Sequence, residues 1–151
     1  TGSDTANVVW YENDGDGRFT AHIVSKLFYG ARSVWAADIT ANGYPDILAG
    51  AAADSSLVLF KNDGSPENDD NRWAAQKIGP KDSTVYCVVC KDINRDGRQD
   101  IIASYYNVKN DLGGDKVRIY YTNGISDDTI AYTIDTLVQN CEAASSVFVD
   151  D

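Results

Sequence analysis

The chain has 151 residues, 43% of them hydrophobic, which is enough for a buried core and excludes a disordered segment. The net charge is −10 and there is no basic cluster, which excludes nucleic acid and anionic lipid as partners. No apolar run approaches the roughly 20 residues of a membrane helix, so the sequence predicts no membrane insertion.

The first predicted elements are two strands joined by a tight turn. Apolar and polar residues fill 8–13, an Asp-Gly-Asp-Gly run follows at 14–17, and a second strand is predicted at 20–24. Asp-Gly dipeptides favour tight hairpins. The run at 14–17 also looks like half of a calcium motif, but its place between these strands favours a plain turn.

Four short strands are predicted next, at 33–39, 46–51, 57–62 and 73–78, with turn-forming residues between them. The loop between the first two has an ordered pattern of oxygen-bearing side chains. Asp38, Thr40, Asn42 and Asp46 stand at positions 1, 3, 5 and 9, and Gly43 stands at position 6.

The same pattern recurs in residues 92–100, where three of the four side-chain ligands are carboxylates instead of two. Calcium takes six to eight oxygen ligands, and a tight loop supplies them from alternate side chains and from the main-chain carbonyl at position 7. An EF-hand would carry a glutamate at position 12, where this chain has Ala103, and helices rather than strands would flank it. The candidate metal ligands of this loop are Asp92, Asn94, Asp96, Asp100 and the Arg98 carbonyl. Those of the earlier loop are Asp38, Thr40, Asn42, Asp46 and the Tyr44 carbonyl.

These features recur at intervals of about 50 residues, which is typical of propellers and repeat arrays. Apolar strands at 8–13, 57–62 and 118–123 align as equivalents, and each is followed or closed by a turn sequence at 14–15, 63–64 or 123–124. The strand preceding each loop also recurs at 146–150. Asp151 is therefore expected to be the first residue of a third, truncated loop.

The D-x-[DN]-x-[DN]-G-x-x-D loops, their following apolar strands and the hairpin at 10–19 resemble the FG-GAP/VCBS repeats of β-propellers. The resemblance implies an all-β fold of four-stranded antiparallel blades, with about three repeats. It places the end of one blade at 1–30, a second blade at 31–80, a third at 83–138 and the first strand of another at 143–151. In this division one blade is split, with its first strand at 143–151 and its third and fourth strands at 1–30. The split predicts that the chain is part of a larger propeller or assembly, and that the isolated chain self-associates.

The resemblance also implies Ca²⁺ in both loops, with a structural role. Cys87, Cys90 and Cys141 match no zinc spacing. Two interpretations remain open. Either Cys141 forms a disulfide with Cys87 or Cys90, or all three cysteines are buried free thiols. Calcium loops favour a secreted or cell-surface location.

The expected function is a calcium-stabilised extracellular binding module for adhesion or for carbohydrate or protein recognition. One alternative is a structural repeat subunit of an extracellular assembly, in contact with neighbouring blades or chains. Another is the propeller portion of a polysaccharide-acting enzyme. No catalytic residue is predicted, because the single histidine, His22, has no recognisable partner in the sequence. The aromatic residues of the third strands favour packing between blades over sugar stacking.

Overall fold

The structure is a computed structural model that describes residues 7–53, 55–65, 73–80, 84–106, 115–126, 128–141 and 144–150, with Asn140 described by its backbone only. These residues form ten strands and no helix. The strands are β1 (Val8–Asn13), β2 (Phe19–Ser25), β3 (Ala31–Ala37), β4 (Asp46–Ala51), β5 (Ser56–Lys61), β6 (Ala74–Ile78), β7 (Thr84–Lys91), β8 (Asp100–Tyr106), β9 (Asp115–Ser126) and β10 (Thr129–Cys141).

The strands form three antiparallel sheets in chain order. β1 pairs with β2, β3 to β6 form one four-stranded meander, and β7 to β10 form another. Most connections are short and rich in turn residues, which favours sequential antiparallel pairing over parallel crossovers. The predicted all-β fold with four-stranded antiparallel sheets is confirmed. In the described part of the chain, no helix is long and apolar enough to cross a membrane.

The sheets pack face to face around apolar side chains. One core lies between the two complete sheets and includes Leu48, Leu59, Val88, Ile101 and Tyr120, all almost fully buried. β5 faces this core on one side and the β1–β2 hairpin on the other. This double burial explains why residues 57–60 form a continuous apolar run rather than an alternating one.

β9 differs from the sequence prediction in its turn and in its register. The Asn123-Gly124 pair lies inside the strand, which continues to Ser126, and the hairpin turns between Ser126 and Thr129. Ile101 pairs with Tyr120, whereas the equivalent Ile47 pairs with Phe60.

The predicted alignment of 118–123 with 57–62 is therefore one residue out. It puts Tyr121 level with Phe60, and the structure puts Tyr120 there. Strand side chains alternate between faces, so only the observed register buries Tyr120 against the neighbouring sheet.

Residues 144–150 form no strand, although a first strand is predicted at 143–151. A strand needs a hydrogen-bonded neighbour, and no described strand pairs with this segment. Val147 and Val149 instead pack against the outer face of the β7–β10 sheet. The predicted start of a third loop, Asp151, lies outside the described residues.

Candidate metal centre

The two acidic loops connect equivalent strands and have similar φ angles at positions 4 and 6. Residues 38–45 join β3 to β4, and residues 92–99 join β7 to β8. At position 4, Ala41 and Arg95 have φ angles of 56° and 62°, and at position 6, Gly43 and Gly97 have 92° and 86°. Position 6 needs glycine because other residues rarely adopt such angles.

The position 1 aspartate closes each loop through hydrogen bonds to its main chain. Asp38 accepts the N–H groups of Asn42 at 3.0 Å and Gly43 at 2.9 Å. Asp92 accepts the N–H groups of positions 5 and 6 of its own loop at 3.1 and 2.8 Å. A carboxylate offers about four lone-pair sites. These aspartates therefore retain acceptor capacity for a cation.

The position 9 aspartates are fully buried, and each joins its loop to the third strand of its sheet. Asp46 accepts the N–H groups of Ile39, Thr40 and Asn62 at 2.8–2.9 Å. Its side chain thereby links the loop, the start of β4 and the end of β5.

Asp100 does the same in the other sheet. It accepts the N–H groups of Ile93 at 3.0 Å and Thr122 at 2.9 Å. The predicted metal ligands of position 9 are thus also the side chains that hold each sheet together at its loop end. Sequence spacing indicates the ligand role, but the link to β5 or β9 is a long-range contact that spacing does not reveal.

Positions 3 and 5 differ between the loops. The Thr40 hydroxyl is buried and has no hydrogen-bond partner. Asn42 accepts the Tyr44 N–H at 2.9 Å and donates its amide to the Asn62 carbonyl at 2.6 Å. The earlier loop therefore holds one oxygen that a bound cation could satisfy.

In the later loop the position 3 and 5 side chains are exposed. Asn94 accepts the Asp96 N–H at 3.0 Å and donates its amide to the Asp96 carboxylate at 3.1 Å. The Arg98 N–H donates to the same carboxylate at 2.9 Å and is the largest cause of the lowered pKa of Asp96. Desolvation opposes this effect, and the Asn94 amide and the Arg98 guanidinium add to it. Asp96 is therefore ionised at neutral pH, as a calcium ligand must be.

The donor types of both loops fit calcium, since all are carboxylate, amide, hydroxyl or carbonyl oxygens. The Tyr44 and Arg98 carbonyls, predicted at position 7, belong to exposed residues. Among the described residues, no three acidic, histidine or cysteine side chains are grouped closely enough to hold a metal ion. The carboxylates are turned towards main-chain N–H groups instead.

The three cysteines are free thiols, so neither of the possible disulfides is present. Cys90 lies on β7 two residues before the later loop. Burial raises the pKa of its thiol strongly, and the carboxylates of Asp100 and then Asp46 add to this effect. Cys90 is therefore a neutral core side chain rather than a metal-binding thiolate.

His22 has a partner that sequence spacing does not suggest. Its Nε2 lies 3.0 Å from Glu12 Oε2, and its ring stacks on Trp10 with 4.3 Å between centroids. The pairing of β1 with β2 sets Trp10 opposite His22, and Glu12 opposite Thr20. Only the hairpin register could have revealed this contact.

A family model described as FG-GAP-like repeat matches residues 1–49 and again residues 42–103. The first match contains β1 to β3, the earlier loop and the start of β4, and the second extends through the later loop to Ala103. No curated protein and no solved structure matches the chain.

Proposed function

Because the chain belongs to the FG-GAP-like repeat family, we propose that it is a calcium-stabilised extracellular β-propeller module that binds a carbohydrate or protein in adhesion or recognition. The proposal assigns it no catalytic residue. The observation that carries the proposal is the repetition of one loop arrangement in two successive sheets. The φ angles at positions 4 and 6 are similar, the position 1 hydrogen bonds are the same, and each position 9 carboxylate accepts N–H groups from its loop and from the third-strand side.

The earlier site would be held by Asp38, Thr40, Asn42 and Asp46 with the Tyr44 carbonyl. The later one would be held by Asp92, Asn94, Asp96 and Asp100 with the Arg98 carbonyl. Bound calcium would offset the charge of the clustered carboxylates. The unpartnered Thr40 hydroxyl supports an oxygen-binding ion in the earlier loop, and the ionised Asp96 supports one in the later loop.

An extracellular location suits sites of this kind. Extracellular calcium modules bind with dissociation constants of about 10⁻⁴–10⁻³ M. The loops lie at the ends of rigid sheets, where binding residues are commonly found.

Calorimetric calcium titration of the chain and two variants tests the metal assignment. Asp96→Ala should weaken calcium binding more than Thr40→Ala, because the charge count of the ligands sets affinity. Asp16→Ala, in the exposed turn at 14–17, is the matched control and should leave binding unchanged. A larger loss in Thr40→Ala than in Asp96→Ala would contradict the ligand assignment.

A glycan array probed with the folded chain, in calcium and in EDTA, tests the recognition part of the proposal. Binding to a defined glycan class in calcium, reduced in EDTA, is the expected result. A chain that binds calcium and no glycan would contradict carbohydrate recognition and leave protein recognition as the proposed function.

The alternative of a structural subunit in an assembly is favoured by a separate observation. Large apolar side chains are exposed on the outer face of the β1–β2 hairpin and on β3, including Tyr11, Phe19, Val34 and Trp35. Exposed apolar patches of this kind mark contact surfaces.

A further inference from the structure

In each complete sheet, equivalent residues of the first strand face the repeat that comes before it in the chain. These residues are covered in the β7–β10 sheet and exposed in the β3–β6 sheet. Val34 on β3 and Val88 on β7 each lie four residues before the first aspartate of their loop. Val88 is 1% exposed, whereas Val34 is 58% exposed. In the same way Cys90 is buried and its equivalent, Ala36, is exposed.

Val88 and Cys90 are covered by residues of β3, of β4 and of the loop between them in the preceding sheet. Ile39 and Leu48 belong to the same buried cluster as Val88 and Cys90. The Ser33 hydroxyl of β3 accepts the Val88 N–H at 3.1 Å. The first two strands of one sheet, with their loop, therefore cover the first strand of the next sheet.

The uncovered half of the β3–β6 sheet forms a cavity of about 380 Å³ with apolar walls. The name leading groove is used here for this cavity and the adjacent Val34. Its apolar lining consists mainly of Trp10, Ala36, Tyr44, Pro45, Ile47 and Trp73. Trp10, Ile47 and Trp73 also pack against the cluster that joins the β1–β2 hairpin to this sheet. The leading groove is thus continuous with an interface that the fold already contains.

An exposed apolar side chain that would suit this apolar groove lies on the opposite side of the molecule. In the segment 144–150, Val147 and Val149 pack on the β7–β10 sheet, and Phe148 between them is 84% exposed. Phe148 lies three residues before Asp151, as Trp35 lies three residues before Asp38. Trp35 lines a cavity between the complete sheets together with Cys90.

We propose that the leading groove binds the segment 144–150 of a second copy of this chain. Phe148 of one copy lies beside Ala36 and Tyr44 of the other, as Trp35 lies near Cys90 and Arg98 within one chain. The Ser146 hydroxyl accepts the Val34 N–H of the other copy. This repeats the Ser33 to Val88 hydrogen bond, because Ser146 and Ser33 stand at the same position of the repeat.

A second copy is the partner favoured by these observations because one chain carries both halves of the contact. The two halves lie on different surfaces, so the contact is heterologous and yields rings or open filaments. None of the predicted calcium ligands except the Tyr44 carbonyl belongs to the groove. Failure of this contact is therefore distinguishable from failure of calcium binding, which is measured separately.

Sedimentation velocity of the 151-residue chain and two variants, up to about 100 µM, tests the proposal. The wild-type chain should associate with increasing concentration. Phe148→Asp and Val34→Asp should each weaken association by at least about tenfold, since a carboxylate cannot enter an apolar contact without a large desolvation cost. Leu27→Asp, at an apolar side chain that is 71% exposed and outside both surfaces, is the control and should associate as the wild type does.

Mixing the two variants gives the sharpest result. Phe148→Asp keeps an intact groove and Val34→Asp keeps an intact Phe148, so the mixture should form one-to-one dimers that cannot extend further. A wild-type chain that stays monomeric at about 100 µM would overturn the proposal. A mixture that does not restore dimers, from variants that melt as the wild type does, would also overturn it.

Discussion

Asp46 and Asp100 are carboxylates with no exposed surface, and each accepts N–H groups from two separate parts of its sheet. A buried carboxylate is costly unless it is hydrogen-bonded. The N–H groups of the loop and of the third strand provide that compensation. The folded state therefore depends on these residues whether or not a metal is bound.

Replacement of Asp46 by asparagine should lower the free energy of unfolding by about 2–3 kcal/mol, because an amide N–H₂ would face N–H donors and charge-assisted bonds would be lost. The measurement is urea denaturation in EDTA, so that loss of bound calcium cannot account for the change. Asp16→Asn, in an exposed turn, is the control and should change stability by less than about 0.5 kcal/mol. Equal stability of wild type and Asp46→Asn in EDTA would show that this carboxylate serves the metal alone.

Cys90 gives a prediction for alkaline pH. Burial, with Asp100 and Asp46, raises the pKa of the folded-state thiol above its ordinary value of 9.0. Above pH 9 the unfolded chain loses this proton and the folded chain keeps it, so the free energy of unfolding falls as pH rises. The contribution of the Cys90 thiol to the free energy of unfolding is fully present below pH 9. Above pH 9 it declines by up to about 1.4 kcal/mol per pH unit.

Chemical denaturation between about pH 8 and 10.5 checks this prediction. Cys90→Ala should show a shallower decline in stability than the wild type. Cys141→Ala, which removes a half-buried thiol, is the matched control and should retain the wild-type decline. Identical profiles for all three chains would contradict the assignment to Cys90.

Among the strands, β4 and β7 show how closely the two complete sheets approach. A Cβ atom added to Gly50 on β4 would overlap the Val85 side chain on β7 and come within 3.4 Å of Val88. The glycine is needed here for space between sheets rather than for its backbone angles. Gly50 is thus a feature of the interface between elements and not of β4 alone.

Gly50→Ala should therefore destabilise the chain by about 1–3 kcal/mol through overpacking. Val85→Ala should also destabilise it, by leaving a void, but the double variant should lose less than the sum, because each change relieves the other. Denaturant unfolding of the four chains measures this coupling. Gly50→Ala combined with Val24→Ala, in the core on the other face, should be additive, and equal coupling in both pairs would contradict direct contact.

For the whole molecule, excess negative charge is the dominant electrostatic feature. The chain has 23 acidic and 13 basic residues, and the loops at 38–46 and 92–100 concentrate part of the acidity. Ions that bind the folded state stabilise it by mass action. Calcium at the loops would act in this way on both sheets.

The melting temperature should therefore rise in millimolar calcium relative to EDTA and respond little to magnesium, which demands smaller octahedral sites. Thermal unfolding followed by circular dichroism measures the change. The double variant Asp92→Asn and Asp38→Asn, which keeps side-chain oxygens but removes charge at position 1 of both loops, should lose most of the response. An unchanged melting curve after confirmed metal removal would contradict calcium stabilisation.

The sequence by itself determined the class of fold and the order of strands. Short apolar runs separated by Gly, Asp and Asn specify short antiparallel strands, and the repeated loop pattern of residues 38–46 and 92–100 specifies equivalent units. These signals are local, so they can be recognised along the chain without knowledge of its contacts. The sequence also singled out the acidic loop residues, although calcium remains a prediction.

The tertiary structure decided the features that depend on distant residues. The register of β9, the contact of Asp46 with Asn62, the pairing of His22 with Glu12 and the exposure of Val34 all follow from how strands pair and sheets stack. A one-residue change of register reverses which face a side chain occupies. Only the assembled sheets therefore determine which equivalent positions are buried and which remain open for contact.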